Sequence, residues 1–494
     1  MVLWDPTTQC GSYYINNLHT LVNIKRNVAS GFKWSALERL SVQLIQVLIQ
    51  LVLARLLGPD AFSLVGMLAI FIAIAQVFIE GGVTNALLRK EIINEQDLST
   101  AFVINFLMSL IIYLIICLTA PLISAFYSQP DLANLIKILS LVIIFNSLSI
   151  VQKINLSRTL NFKIQAISSF SSILISSVIS LTLAFNGFGV WSLVFQQVCY
   201  SLLNTILLNT LSSWIPKKLP SKHSFIYLIS FGYKLVLTNL LDAIFNNIYP
   251  VLIGKFYPLH QVGFYTQASN LSFTPAQSIS TIITRVLYPI LSKTKIKSEF
   301  NRSYLISLGI TSYVSSLIIL SIGISSFFIA DIFLGDSWQG IADLIFILCV
   351  AYLPNPVYSI NVHVLQIKGY PGAYLKLELL RKIIILITLI IMLPLGIKAI
   401  CLGIAIQSYI MLTVNIIYTS RIIKISLKKQ FVRIFYPIVY CSFAGLFSWI
   451  ITLFLPSLIL KLIAFLLIFL TSSVYLLKRM QPHYFSYIKN IKQK

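Results

Sequence analysis

Fourteen long apolar runs follow one another along this chain, at roughly 35–54, 62–85, 99–124, 132–152, 165–185, 190–213, 225–252, 262–290, 304–328, 340–365, 374–393, 399–420, 434–454 and 459–477. Each is about 20 residues or longer, the length at which a helix crosses the hydrocarbon core of a bilayer. Hydrocarbon offers no partner to a backbone N–H or C=O, so such runs must satisfy their own backbone groups, and only helices and closed barrels do so. The alternating apolar and polar residues of a membrane barrel are absent. The expectation is therefore an all-α polytopic membrane protein with about 14 transmembrane helices. Composition points the same way: 57% of the 494 residues are hydrophobic and 10% are charged, against about 25% charged in an ordinary soluble domain. A soluble enzyme, a disordered chain and a protein with a single anchor are all excluded.

Charge placement sets the orientation. Of the 37 Lys and Arg residues, 27 fall at one set of helix ends and only Arg55, Lys255, Lys398 and Lys461 at the other. The remaining six, Arg39, Lys137, Lys234, Arg285, Arg381 and Lys382, lie inside the runs. The alternation never breaks, and a miscounted helix would invert it, so both termini are expected to be cytoplasmic. The net charge of +23 is thus read as topology charge beside an anionic leaflet; no nucleic acid partner is expected. The six cysteines (Cys10, Cys117, Cys199, Cys349, Cys401 and Cys441) have no CxxC or metal spacing. Residues 1–30 are polar and mixed, without the apolar core of a cleavable signal.

A repeat is legible. Arg55-Leu56-Leu57-Gly58-Pro59, before Phe62-Ser63-Leu64, recurs 200 positions later as Lys255-Phe256-Tyr257-Pro258, before Val262-Gly263-Phe264. Two hundred residues hold six helices, so both copies start on the same side, as in parallel repeats about an axis along the membrane normal. The expected division is an N-terminal extension at 1–27, read as disordered, an N-lobe at 28–215 with helices 1–6, and a C-lobe at 216–430 with helices 7–12. Helices 13 and 14 follow at 431–480, and a basic cytoplasmic tail at 481–494.

Polar stripes then mark a path through the apolar helices. Arg39, Gln43, Gln46 and Gln50 fall within about 60° of arc on the first helix. Gln76, Glu80 and Thr84 follow on the second, beside Gly81-Gly82. In the seventh, Lys234, Thr238, Asp242, Asn246 and Tyr249 share about 120°. In the eighth, Asn270, Thr274, Gln277, Thr281 and Arg285 share about 80°. Glu378, Arg381 and Lys382 stand at i, i+3 and i+4 in the eleventh, near enough to the cytoplasmic end for snorkelling to explain them as well as function does. A charge at mid-bilayer costs about 2.5 kcal/mol or more, so these residues face protein or water. Interhelical hydrogen bonds and ion pairs without a ligand would leave the same pattern, and both readings stay open. Charges inside the runs lean basic, which suits an anionic ligand; amides and tyrosines suit sugar hydroxyls. Arg39, Lys234 and Arg285 are the candidates for holding an anionic ligand, and Gln43, Gln46, Asn246, Asn270 and Gln277 for meeting hydroxyls along its path. Glu38, Glu80 and Asp242 are candidates for ion coupling, and Glu378, Arg381 and Lys382 form a further group. No Walker loop, GxSxG, HExxH or dinucleotide fingerprint occurs, and the five histidines are isolated; no cofactor, metal or enzymatic activity is expected.

Several segments resemble a known family. Ser30-Gly31-Phe32-Lys33-Trp34-Ser35-Ala36-Leu37-Glu38-Arg39, Ala54-Arg55-Leu56-Leu57-Gly58-Pro59 and Phe78-Ile79-Glu80-Gly81-Gly82 carry the resemblance in the first half. Phe231-Gly232-Tyr233-Lys234, Leu240 to Tyr249, and Gln366-Ile367-Lys368-Gly369 carry it in the second. They are similar to Wzx-type polysaccharide transporters of the multidrug/oligosaccharidyl-lipid/polysaccharide superfamily, from about Val28 to the C-terminus. Residues 1–27 have no counterpart in the pattern, and Glu80 stands where an aspartate is more usual. The resemblance implies a V-shaped, two-lobed bundle that flips undecaprenyl-diphosphate-linked oligosaccharide to the outer leaflet by alternating access. It implies as partners that lipid-linked oligosaccharide, membrane lipids, the glycosyltransferases and polymerase of the same pathway, and H+ or Na+ as coupling ion. A cation-coupled drug antiporter of the same superfamily is the alternative, and a membrane polysaccharide polymerase or glycosyltransferase a more distant one.

Overall fold

The computed structural model describes the backbone of residues 7–480 apart from 91, 160, 213 and 295, and side chains from 41 to 479 apart from those four and 234, 286, 289, 290 and 293. The expectations for residues 1–6 and 481–494 lie outside the described residues, and the backbone of 7–27, read as disordered from the sequence, is helical. Helix follows helix through the described chain, with no strand among the described residues. The chain divides into two compact units, one of residues 1–53 and 68–248, the other of 54–67 and 249–494.

In the first unit, α1 (Thr7–Glu80) contains the first two apolar runs as one element, bent at Gly58, whose φ of 71° and ψ of −179° leave helical space. Pro59 enforces that break: its ring disfavours helical conformation in the preceding residue, yet it sits without strain at the start of the next helical stretch. α2 (Val83–Arg89) is short, and α3 (Glu95–Tyr127) begins where the Asp97 carboxylate accepts the Asn94 backbone N–H at 2.9 Å. The fourth apolar run is three pieces, α4 (Asp131–Leu139), α5 (Leu141–Leu148) and α6 (Ile150–Arg158). At the two joints the hydroxyls of Ser140 and Ser149 turn back to the carbonyls of Lys137 (3.0 Å) and Asn146 (3.1 Å), competing with the helical ladder. α7 (Phe162–Phe185) and α8 (Trp191–Ser212) form a hairpin through Gly187 and Gly189, both at positive φ. The buried Ser172, Ser176, Ser177 and Ser180 on α7 keep the helices close, and Ser180 donates to the Ser192 carbonyl at 2.9 Å. α9 (Lys222–Phe256) crosses the glycine pair after α1: a Cβ on Gly232 would lie 2.9 Å from the Gly82 Cα, so the crossing requires glycine.

The second unit takes the bend segment 54–67, the last turns of α9 and everything after. It contains α10 (Leu259–Lys293), α11 (Lys297–Ile324), the single turn α12 (Ser326–Ile329), α13 (Ile341–Tyr352) and α14 (Asn355–Ile367). α15 (Pro371–Met392), α16 (Ile397–Ile423), α17 (Leu427–Thr452) and α18 (Leu458–Met480) complete it. Its core gathers Leu291, Phe300, Tyr304, Leu308, Val357, Ile360, Val364, Leu412, Ile416 and Ile434. Within that apolar packing the fully buried Tyr304 hydroxyl lies 2.7 Å from Asn361 Oδ1 and 2.9 Å from Gln430 Oε1. Trp338, 1% exposed, donates its indole N–H to the Ala54 carbonyl at 2.9 Å, meets Phe62 edge to face and stacks with Phe264. Arg55 donates to the Ile332 carbonyl at 2.7 Å. The bend segment is thereby tied to the turns before α13.

Every apolar run read from the sequence lies in helix, but only eleven helices among the described residues are long and apolar enough to cross a membrane. The count falls short of fourteen for traceable reasons. Two runs are joined as one continuous element around the Gly58 bend. α10 is diluted by Asn270, Thr274, Gln277 and Thr281, and α15 by Lys376, Glu378, Arg381 and Lys382. That polarity removes those two helices from a purely hydropathic count.

Candidate functional site

The candidate residues distribute unevenly. The side chains of Glu38, Arg39 and Lys234 lie outside the described residues, although the backbone at all three is helical. On α1, Gln43 is half-buried, Gln46 exposed, and Glu80 exposed at the helix end. On α9, Asp242 is half-buried and has an electrostatic or hydrogen-bond partner, and Asn246 is exposed. On α10, Asn270 is half-buried while Gln277 and Arg285 are exposed. For an apolar helix, exposed amides and an exposed guanidinium are the anomaly: they are open to whatever medium fills that face, and hydrocarbon would penalise them.

The one candidate group that the described side chains bring together is on α15. Helical spacing puts Glu378, Arg381, Lys382, Ile385 and Thr388 on one face. Arg381 Nη1 and Lys382 Nζ lie 3.8 and 4.0 Å from Glu378 Oε2. The Tyr358 hydroxyl of α14 donates to Glu378 Oε1 at 3.1 Å, and the Arg381 guanidinium lies 5.5 Å from the centre of the Tyr358 ring. The side chains of Glu378 and Lys382 are 17% and 11% exposed, that of Arg381 33%. Lys382 sits near the middle of the 22-residue α15, with its ammonium buried beside a carboxylate. That is not how a lysine snorkelling to the interface is placed.

Nearly two turns beyond Arg381 on the same face, Thr388 Oγ1 lies 2.9 Å from Gln407 Oε1 of α16. Gln407 Nε2 donates to the Tyr249 hydroxyl at 2.9 Å, joining the end of α9 to the pair. Two cations, one carboxylate, two tyrosines and an amide thus occupy one neighbourhood of α9, α14, α15 and α16. It can hold an anion and a hydroxyl-rich group side by side. Gln407 was missed by sequence reasoning because a single amide in an apolar helix has no periodicity; Tyr249 was visible as the last member of the α9 stripe.

In the first unit a second charged constellation joins α3 to α9. Asp97, 2% exposed, accepts Lys90 Nζ at 2.7 Å and the Ser224 hydroxyl at 2.7 Å. Lys90 also lies over the Tyr227 ring, and Arg89 over that of Phe231. This clasp was not singled out from the sequence, where Lys90 counted only as topology charge.

Comparison with known proteins places the chain as a whole. Residues 52–343 match the family described as polysaccharide biosynthesis protein. The chain is 23% identical over 354 residues to the teichuronic acid biosynthesis protein TuaB of Bacillus subtilis (strain 168), covering 70% of this chain and 72% of that one. It is 23% identical over 350 residues to the lipopolysaccharide biosynthesis protein WzxC of Escherichia coli (strain K12), covering 69% and 70%. Among solved structures, the lipid II flippase MurJ in an inward closed conformation superposes with a TM-score of 0.69 at 16% identity, over 91% of this chain and 99% of that one. An inward-facing multidrug resistance MATE family transporter of the MOP superfamily superposes with a TM-score of 0.61 at 17% identity, over 80% and 99%. These two likenesses establish the fold, and the matched family covers more than half of the sequence. The chain belongs to the polysaccharide biosynthesis protein family.

Proposed function

We propose that this protein flips an undecaprenyl-diphosphate-linked oligosaccharide across the bacterial inner membrane, by alternating access, for surface polysaccharide biosynthesis. Moving one unpaired hydroxyl into alkane costs about 4–8 kcal/mol. A glycan with several hydroxyls and a diphosphate therefore faces about 30 kcal/mol or more, or roughly 10⁻⁹ crossings per second. A polar path that accepts the head group while the prenyl tail stays in lipid removes most of that barrier. The carrying observation is the net-positive group Glu378–Arg381–Lys382 midway along an apolar helix, in a chain of this family. An anionic head group gives a physical reason for such charges to stand there; lipid gives none.

In this reading Arg39, Lys234 and Arg285 receive the diphosphate, and Gln43, Gln46, Asn246, Asn270 and Gln277 line the sugar path. Glu38, Glu80 and Asp242 couple transport to H+ or Na+. The lobes are 28–215 and 216–430, both termini are cytoplasmic, and the glycosyltransferases and polymerase of the pathway supply and consume the substrate. The protein acts as a transporter and not as an enzyme.

The test is surface glycan display in a flippase-deficient strain of matching glycan. The wild-type chain restores display, and Arg39→Ala, Lys234→Ala and Arg285→Ala lower it at normal expression. Failure of the wild-type chain removes the function; unchanged display in all three variants removes these residues from it. The MATE likeness favours drug efflux as the second reading, and extrusion of a fluorescent organic cation by the same strain, without glycan display, would select it.

A further inference from the structure

We propose that the joint at Ser149 is a hinge at which α6 turns relative to α5, and that the Thr205 hydroxyl of α8 is the catch that holds its bent state. All of these residues belong to the first unit. No ligand enters, so the hinge stands or falls apart from the transport reading.

The first support is a break without a fixed cause. Sharp kinks in helices sit at proline, at glycine–serine pairs, at bulges or where a side chain inserts into the ladder. Residues 131–158 contain neither proline nor glycine, yet they form three pieces and not one helix. A proline break is permanent, because the ring has removed the N–H that would close it. Ser149 keeps its N–H, and the side chains that intrude on the ladder here can withdraw.

The second is where the hydrogen bonds go. The Ser149 N–H donates to the Asn146 carbonyl, three residues back, at 3.2 Å, and the Ser149 hydroxyl reaches the same carbonyl at 3.1 Å. A three-residue turn within a helix is the tighter 3₁₀ form, frequent at hinges. The Phe145 carbonyl, four residues back from Ser149, thereby loses its helical donor. Thr205, 6% exposed, supplies another from α8 at 2.8 Å. On straightening, the Ser149 N–H returns to Phe145, and the Thr205 hydroxyl turns to a carbonyl of its own helix, as the buried Ser176 and Thr419 do. One bond replaces another, so the two states lie close in free energy, as a bistable element requires. At Ser140, by contrast, the N–H keeps the carbonyl four residues back, that of Ile136, at 2.9 Å.

The third is the placement of the catch. Ser201, Thr205 and Asn209 stand at four-residue intervals on α8, and so on one face. The Ser201 hydroxyl donates to Asn146 Oδ1 at 3.0 Å, and Asn209 Nδ2 lies 3.5 Å from the Leu148 carbonyl. The polar face of α8 is thus aimed at the joint. The fourth is what the joint moves. Arg158, in the last turn of α6, donates to the carbonyls of Leu87 (3.3 Å) and Lys90 (2.8 Å) at the end of α2. A turn of α6 is carried to α2 and to the Lys90–Asp97 clasp, which gives this end of the first unit two arrangements.

The experiment uses the full chain in lipid nanodiscs, with its native cysteines retained. Spin labels are attached through p-acetylphenylalanine introduced at Thr159, just past α6, and at Leu211, near the end of α8, both exposed. Double electron–electron resonance then reads the distance distribution. The expected result is that Thr205→Val raises the population of a second distance about tenfold over wild type, as loss of one bond from the bent state implies. Ser149→Ala removes the competing hydroxyl and shifts the distribution the same way, while Thr205→Ser keeps that of wild type. A rigid joint behaves otherwise: Thr205→Val then strands the Phe145 carbonyl, lowers the melting temperature and leaves the distance where it was. Unchanged distributions in Thr205→Val and Ser149→Ala overturn the hinge. A shift in Thr205→Ser as large as that in Thr205→Val overturns the hydroxyl as its catch. Should Thr205→Val fail to fold, Ser149→Ala alone decides the hinge.

Discussion

Ser63 and Gly263, two hundred positions apart, face each other at a crossing of two-fold character within the second unit. The Ser63 hydroxyl donates to the Leu259 carbonyl at 2.5 Å. In the reciprocal place, a Cβ on Gly263 would run into the carbonyl of Pro59, the residue 200 before Leu259. One turn on, the roles reverse: Gly66 is the bare position and Thr266 the hydroxyl that abuts it. Residue i touching j+200 while j touches i+200 is the contact pattern of an isologous interface. The helices approach too closely for both members of a pair to carry a side chain.

Gly263→Ala is therefore expected to be costly and Gly66→Ala cheaper. The first meets a backbone carbonyl that cannot step aside, the second a side chain that can turn. Overpacking of this kind costs about 1–3 kcal/mol, so Gly263→Ala should lower the melting temperature of the purified protein clearly. The Thr266 hydroxyl has no hydrogen-bond partner, so Thr266→Ala removes bulk without breaking a bond. The pair Gly66→Ala/Thr266→Ala should melt near wild type. Equal losses in Gly263→Ala and Gly66→Ala would show that the crossing is not this tight.

Asp97 carries more of the first unit than its position at a helix start suggests. It caps α3, accepts Lys90 and accepts Ser224 from α9. Asp97→Ala leaves a partly exposed ammonium and a buried hydroxyl without their acceptor, an expected loss of about 2–3 kcal/mol. Ser224→Ala removes one bond of the three and should cost about 1 kcal/mol. Urea titration of the detergent-solubilised protein, followed by tryptophan fluorescence, reads both; a Ser224→Ala effect as large as that of Asp97→Ala would contradict this ranking.

Trp338 separates volume from hydrogen bonding. Trp338→Phe keeps most of the aromatic contact with Phe62 and Phe264 but loses the donor to the Ala54 carbonyl, for about 1 kcal/mol. Trp338→Ala empties the site, for about 3–5 kcal/mol. Thermal melts of the two variants should differ by that order, and indistinguishable melts would mean the ring is not packed as described.

The helical architecture was legible because its cause is local. A run of some twenty apolar residues has one way to satisfy its backbone in lipid, and Gly58-Pro59 announces its own bend. The candidate site was legible only where charges share one helix, as Glu378, Arg381 and Lys382 do at i, i+3 and i+4. What escaped was pairing across helices. Nothing in the sequence near Gln407 points to Tyr249, 158 positions away, nor near Asp97 to Ser224. The depth of Lys382 also escaped, since lysine near either end of a span can snorkel, and only packing decides which way it turns.

Tyr249 and Gln407 offer the final test, since their coupling can be measured apart from either residue alone. Gln407 Nε2 donates to the Tyr249 hydroxyl, and Gln407 Oε1 also lies within reach of Thr388. Tyr249→Phe leaves the amide N–H without its acceptor, and Gln407→Leu leaves a buried phenol without its partner, while Thr388 keeps the carbonyls of Ile384 and Ile385. Each should cost about 1–3 kcal/mol, because a buried polar group that loses its partner bears the desolvation penalty alone. The double variant removes both ends of the same bond and should cost less than the sum, by about 1 kcal/mol. Denaturant midpoints of the four proteins complete the cycle. If the losses simply add, the two side chains act independently, and the polar chain beside the α15 charges is not a connected network.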